Sequence, residues 1–163
     1  MRKILPSIVL LCALLLLNCR AQLPNEQNSL RGIDSITVQV YLAEEAKLLS
    51  LDESRLRTII ELELRLGGIS VVGNSSVVLM ADTRILPLKP KYAEAGNDFA
   101  YCTRLYIAQW AYVIRDSPFR QFVCTWDRTS FGYATSSSGE IIENGWKKMA
   151  QDFVNDYLKV NPK

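Results

Sequence analysis

Histidine is absent from this chain of 163 residues. That excludes His-based triads, His-metal sites and His proton shuttles. Serines, cysteines and carboxylates remain as groups able to do chemistry. Nucleophilic catalysis needs Ser, Thr or Cys beside a base. Ser130, Ser136, Ser137 and Ser138 lie in turn-like sequence, and no G-x-S-x-G elbow frames them. Cys102 and Cys124 fall within β-like runs, where cysteine acts as a small buried hydrophobe. No C-x-x-C occurs, so zinc is not expected. Asp82, Asp98, Asp116 and Asp127 near strand ends could form a hydrolytic carboxylate pair, yet their spacing selects no two of them. Glu63 falls inside the apolar arc of a predicted helix, where it is either a catalytic acid or one half of an ion pair. Gly67-Gly68 lacks P-loop spacing and reads as a helix stop. No cofactor, no metal and no catalytic residue is expected from these patterns.

The amino terminus points to a compartment. Met1-Arg2-Lys3 is followed by an unbroken apolar run from Ile8 to Leu17, and Arg20 is the next charge. This order is that of a secretory leader. A membrane span needs about 20 apolar residues. The stretch Ile4–Cys19 is shorter and carries Pro6. Two processing routes end the leader at 1–21. Cys19-Arg20-Ala21 fits a small-residue cleavage site that leaves Gln22 first. Leu16-Leu17-Asn18-Cys19 resembles a lipoprotein box with Cys19 as the lipidated residue, although Asn18 departs from its usual small residue and so favours simple cleavage. The protein is therefore expected outside the cytoplasm, periplasmic or extracellular, and at a membrane only if lipidated at Cys19.

The leader also distorts the charge. The whole chain has 19 Lys+Arg against 17 Asp+Glu; without Arg2, Lys3 and Arg20 the net charge falls from +2 to −1. A near-neutral remainder lacks the footprint of backbone-driven nucleic-acid binding, so no nucleic-acid partner is expected. With 48% hydrophobic and 22% charged residues, the chain has the balance of one globular domain.

The elements that must position any site follow from periodicity. Residues 22–32 are a polar lead-in, expected to be flexible. Ile36, Val38, Val40 and Leu42 alternate with polar positions and predict a strand. Ser50-Leu51-Asp52-Glu53 has capping-box spacing and opens a helix that runs to Gly67. Ile69–Val72 and Val77–Leu86 read as strands; Phe99–Ile114 and Phe119–Arg128 read as a long antiparallel hairpin turning near Ser117. Ile142, Trp146, Met149, Ala150, Phe153, Val154 and Tyr157 form the stripe of a last amphipathic helix. The expected fold over 33–163 is α+β: a two-layer sandwich, its sheet about five-stranded and mostly antiparallel, with two helices on one face. Ile36–Leu42 and Ile69–Val72, joined through a helix, are expected to be parallel neighbours.

Parity then separates two faces of the hairpin. Leu105, Ile107, Ala111 and Val113 share one side, suited to the helices. Arg104, Tyr106, Trp110 and Tyr112 share the other, with Trp126 expected to join them diagonally from the partner strand. These five residues are the candidate partner-binding set, because Trp, Tyr and Arg anchor interfaces. A one-residue slip would invert the assignment for the second strand. The same register puts Cys102 opposite a residue near 132, roughly 25 Å from Cys124 at about 3.3 Å per residue, too far for a disulfide.

Glu61-Leu62-Glu63-Leu64-Arg65-Leu66-Gly67-Gly68-Ile69, Thr125-Trp126 and the ending Phe153-Val154-Asn155-Asp156-Tyr157-Leu158-Lys159-Val160-Asn161-Pro162-Lys163 resemble an uncharacterised family of small exported bacterial proteins over roughly residues 33–163. The element order is also similar, in topology only, to envelope accessory modules such as the TolB amino-terminal domain and the lipoprotein activators of penicillin-binding proteins. The reading is a non-enzymatic binding or accessory module of the bacterial cell envelope, with another envelope protein as its partner. Two alternatives stay open: an extracytoplasmic enzyme or enzyme inhibitor, and a structural subunit of an envelope complex.

Overall fold

The computed structural model describes residues 24–88, 98–112, 119–135 and 138–162. The leader 1–21 with Cys19, Asp116 and the hairpin turn near Ser117 lie outside the described residues. In chain order the elements are α1 (Pro24–Asn28), β1 (Ser35–Leu42), a 3-10 turn (Glu44–Leu49), α2 (Glu53–Leu66), β2 (Ser70–Val71), β3 (Val77–Pro87), β4 (Asp98–Tyr112), β5 (Arg120–Thr135) and α3 (Gly139–Val160).

The alternation in β1 places Ile36, Val38 and Val40 in the core and leaves Thr37 and Gln39 half-buried on the other side. Asp52, not Ser50, caps α2: its carboxylate accepts the Arg55 amide at 2.8 Å. Ser50 instead closes the 3-10 turn in the left-handed region, at φ 55°. Helix α2 buries Leu56, Ile60 and Leu64. Helix α3 buries Ile142, Trp146, Met149, Ala150 and Phe153, as its stripe requires. Both pack over the same sheet face, where alternate strand residues Leu79, Ala81, Leu105, Ile107 and Trp126 complete one core.

The sheet order is β2-β1-β3-β4-β5. β1 is parallel to both β2 and β3, while β3–β4 and β4–β5 are antiparallel. The fold is thus the expected two-layer α+β arrangement with a mixed sheet. The long strands carry most of the pairing, and they are antiparallel.

Two expectations are corrected. The described part of the lead-in is docked. Leu30 is fully buried, and the Ser29 hydroxyl donates to the Thr125 carbonyl at 3.0 Å. Asn161 bonds this segment twice, accepting the Gly32 amide and donating to the Leu30 carbonyl. Its polar composition reflects these long-range bonds, which supply partners for main-chain groups at the sheet end.

Trp126 does not join the outer aromatic side. Ala108 pairs with Cys124 but Ile107 pairs with Trp126, so Thr125 is an extra residue in β5. A β-bulge of this kind reverses side-chain parity beyond it. Trp126 therefore turns inward, 1% exposed, against Phe153. The bulge is held by Gln109, whose amide donates to both the Thr125 hydroxyl and the Ser29 carbonyl.

β5 also runs past Arg128 to Thr135. The Thr103 hydroxyl meets the Ser130 carbonyl across the ladder, so Ser130 belongs to a strand rather than a turn. Gly132 sits opposite Tyr101, and a Cβ there would meet the Tyr101 ring at about 2.5 Å. Gly132→Ala is therefore expected to lower stability by about 1–3 kcal/mol through overpacking, read as a lower urea midpoint with unchanged slope.

The uncovered sheet face as candidate functional site

Helices cover one side of the sheet. On the other side, β4 presents Arg104, Tyr106, Trp110 and Tyr112 in the parity the sequence predicts. Trp110 is 57% exposed and Tyr112 59%. Trp110 stands opposite Phe122 with ring centres 5.4 Å apart, tilted at 58°. Tyr112 stands opposite Arg120, whose Nε–H donates to the phenol oxygen at 2.8 Å while the guanidinium overlies the ring. A turn centred on Ser117 would set Phe122 against Tyr112; the observed register is shifted by two residues. Arg120 and Phe122 are additional members of the cluster.

The centre of the face is polar. Arg104 donates two bonds to Asp127 Oδ2, at 3.2 and 2.9 Å, and overlies the Tyr106 ring at 4.7 Å. Burial opposes the Arg104 charge, but the bond to Asp127 and its charge outweigh it and raise the guanidinium pKa. Burial, reinforced by the Asp82 charge, raises that of the Tyr106 phenol. Asp82 in turn pairs with Arg84 at 3.3 Å. At the far end, Phe131 and Tyr133 are 75% and 82% exposed. Sequence reasoning missed both because it ended the strand at Arg128. The alternation Phe131-Gly132-Tyr133 was the available signal.

Asp82, Asp127 and the Cys124 thiol flank Arg104 and Tyr106 on this face, whereas Glu63 lies apart from them, between the helices. Asp82 and Asp127 each meet an arginine. Glu63 accepts the Gln151 amide at 3.1 Å and pairs with Lys147 at 3.7 Å, which ties α2 to α3. Cys124 is exposed on this face and Cys102 half-buried, so neither is the buried hydrophobe expected; partial desolvation still raises the Cys124 thiol pKa even with Arg104 beside it, so little thiolate forms at neutral pH. Cys102 lies opposite Phe131 and Cys124 opposite Ala108. The cysteines are thus about 20 Å apart along the hairpin, at about 3.3 Å per residue. Among the described residues no three His, Cys, Asp or Glu side chains gather to hold a metal.

No protein-family model matches the chain, and no curated protein matches its sequence. Several solved structures share a loose likeness. A PelC dodecamer from Paraburkholderia phytofirmans has 13% identity and a TM-score of 0.41, covering 78% of this chain and 87% of that one. Rare lipoprotein B from Shewanella oneidensis has 15% identity and a TM-score of 0.34, covering 76% and 91%. A minor lipoprotein from Acinetobacter baumannii has 11% identity and a TM-score of 0.29, covering 79% and 94%. Likeness at this level assigns no role.

What distinguishes the face is its own chemistry. Exposed apolar rings that converge on one surface are the unusual feature, since single exposed hydrophobes are common on any protein. Here Trp110 and Phe122 touch, and Tyr112 and Arg120 form a second tier beside them. Rigid aromatic rings offer large contact area at little entropic cost, and arginine adds a planar donor.

Proposed function

We propose that this protein is a non-enzymatic binding module of the bacterial cell envelope, and that the uncovered sheet face docks another envelope protein. The observation that carries this reading is the exposure of Trp110 and Tyr112, at 57% and 59%, beside Phe122 and Arg120. The leader read at residues 1–21 supplies the compartment. Among the described residues, no helix is long and apolar enough to cross a membrane.

The test is photo-crosslinking in intact cells, with a benzophenone amino acid replacing Phe122. A defined adduct with one envelope protein is expected. An identical probe at Leu48, exposed but beyond the sheet, should give none. Trp110→Ala and Tyr112→Ala should each weaken that partner's binding roughly 10- to 30-fold, the effect of an interface anchor. Their melting temperatures should shift by only a few degrees, as for surface changes. Absence of an adduct at Phe122, or core-sized destabilisation by both alanines, would overturn the reading.

A further inference from the structure

The uncovered face carries its charge unevenly. Arg84 is paired with Asp82 at 3.3 Å, and Arg104 with Asp127 at 2.9 Å. These arginines and aspartates cancel across the centre of the face. Arg120 differs. Its Nε–H donates to the Tyr112 phenol oxygen at 2.8 Å, and among the described residues no carboxylate forms an ion pair with it. The ring end of the face is therefore its positive end.

Arg120 is also held in place. Its guanidinium overlies the Tyr112 ring at 5.2 Å, so the phenol fixes both its plane and its Nε–H. The Nη groups bond no other described residue. An arginine oriented in advance loses little freedom on binding, and its planar fork matches a carboxylate. In the neighbouring row of the same face Trp110 stands opposite Phe122, both exposed. The rows Trp110–Phe122 and Tyr112–Arg120 are two residues apart on each strand. At about 3.3 Å per residue that is roughly 7 Å, which is also the spacing of side chains i and i+2 on one side of an extended chain.

We infer that the partner presents an extended segment with an apolar side chain and a carboxylate at alternate positions, the first seated on Trp110 and Phe122 and the second on Arg120; this rests on the docking reading above and gives that partner its chemistry. The rings supply contact area and accept any apolar group, whereas the unpaired guanidinium discriminates between segments. Arg84 and Arg104 select no further acid, because each already has one.

The test is an NMR titration of the exported, processed protein that follows the indole Nε1–H resonances. Acetyl-Thr-Phe-Thr-Glu-Thr-amide is the probe and acetyl-Thr-Phe-Thr-Gln-Thr-amide its neutral control, each in millimolar excess. The Trp110 resonance, assigned by its loss in Trp110→Phe, should move with both peptides. The acidic peptide should bind about three- to fivefold tighter, the scale of an exposed ion pair. Arg120→Gln should erase that difference, and Arg120→Lys should keep part of it. Arg84→Gln makes the same charge change ten ladder positions away, roughly 33 Å, and should leave the difference intact. The buried indoles of Trp126 and Trp146 should keep their resonances in every variant and so report an intact fold. Equal affinity for the two peptides, or a preference that survives Arg120→Gln, would overturn the inference while the docking reading stands. A Trp110 resonance moved by neither peptide would overturn it as well, and the Phe122 crosslink then judges the docking reading by itself.

Discussion

Trp126→Ala is expected to destabilise the domain by about 3–5 kcal/mol, the range for removing a large buried aromatic. At this chain length that lowers the melting temperature by roughly 10 °C or more. The indole is 1% exposed, packs edge-on against Phe153 at 4.9 Å, and donates to Asp156 at 3.2 Å. Arg128 covers its face at 4.7 Å. Truncation thus removes apolar contact, one hydrogen bond and one cation–π contact together. Trp110→Ala, one strand away, should stay within about 1 kcal/mol, because that indole is already in water. Chemical denaturation of the two variants side by side checks both values. Near-equal losses would mean that Thr125 does not bulge and that the two indoles share a face.

That contrast marks where local pattern stops carrying information. β4 was legible because it keeps strict alternation: Leu105 and Ile107 are buried, Trp110 and Tyr112 exposed. α3 was legible because every residue of its stripe from Ile142 to Phe153 obeys one helical period. β5 was not, because one unpaired residue moves Trp126 to the opposite face from Phe122. The cause of the bulge lies far off in sequence. Ser29 and Gln109 satisfy Thr125 across separations of 96 and 16 residues. No window around Thr125 contains them. The docking of α1 escaped for the same reason, since its anchors, Asp156 and Asn161, come from the far end of the chain. The candidate site survives as Arg104, Tyr106, Trp110 and Tyr112, and it gains Arg120 and Phe122.

Asp156 is where these long-range contacts meet, and its removal should have the second large effect. Its carboxylate is 5% exposed and accepts from Arg128 at 2.6 Å, Gln27 at 2.9 Å, Lys159 at 3.1 Å and Trp126 at 3.2 Å. Burial alone would raise its pKa. The bonds from Lys159 and Trp126, with the charges of Arg128 and Lys159, outweigh burial and hold it below the usual carboxylate range. A group depressed on folding stabilises the native state above its unfolded pKa, and that contribution fades as pH falls through the folded value. Asp156→Ala should therefore cost about 3 kcal/mol near pH 7, since it strands donors that were paired in a buried site. Glu26, 3.6 Å from Arg128, limits the loss by keeping that guanidinium partly compensated. Urea midpoints at about pH 7 and about pH 3 separate charge from packing, because the reference carboxylate pKa lies between them. The gap between native protein and variant should narrow at the lower pH, where the unfolded chain's carboxylate takes up a proton that the native one resists. The amide of Leu30, bonded to Gln27 in the same segment, should exchange faster in the variant as α1 loosens. A gap of equal size at both pH values would reduce Asp156 to a packing residue.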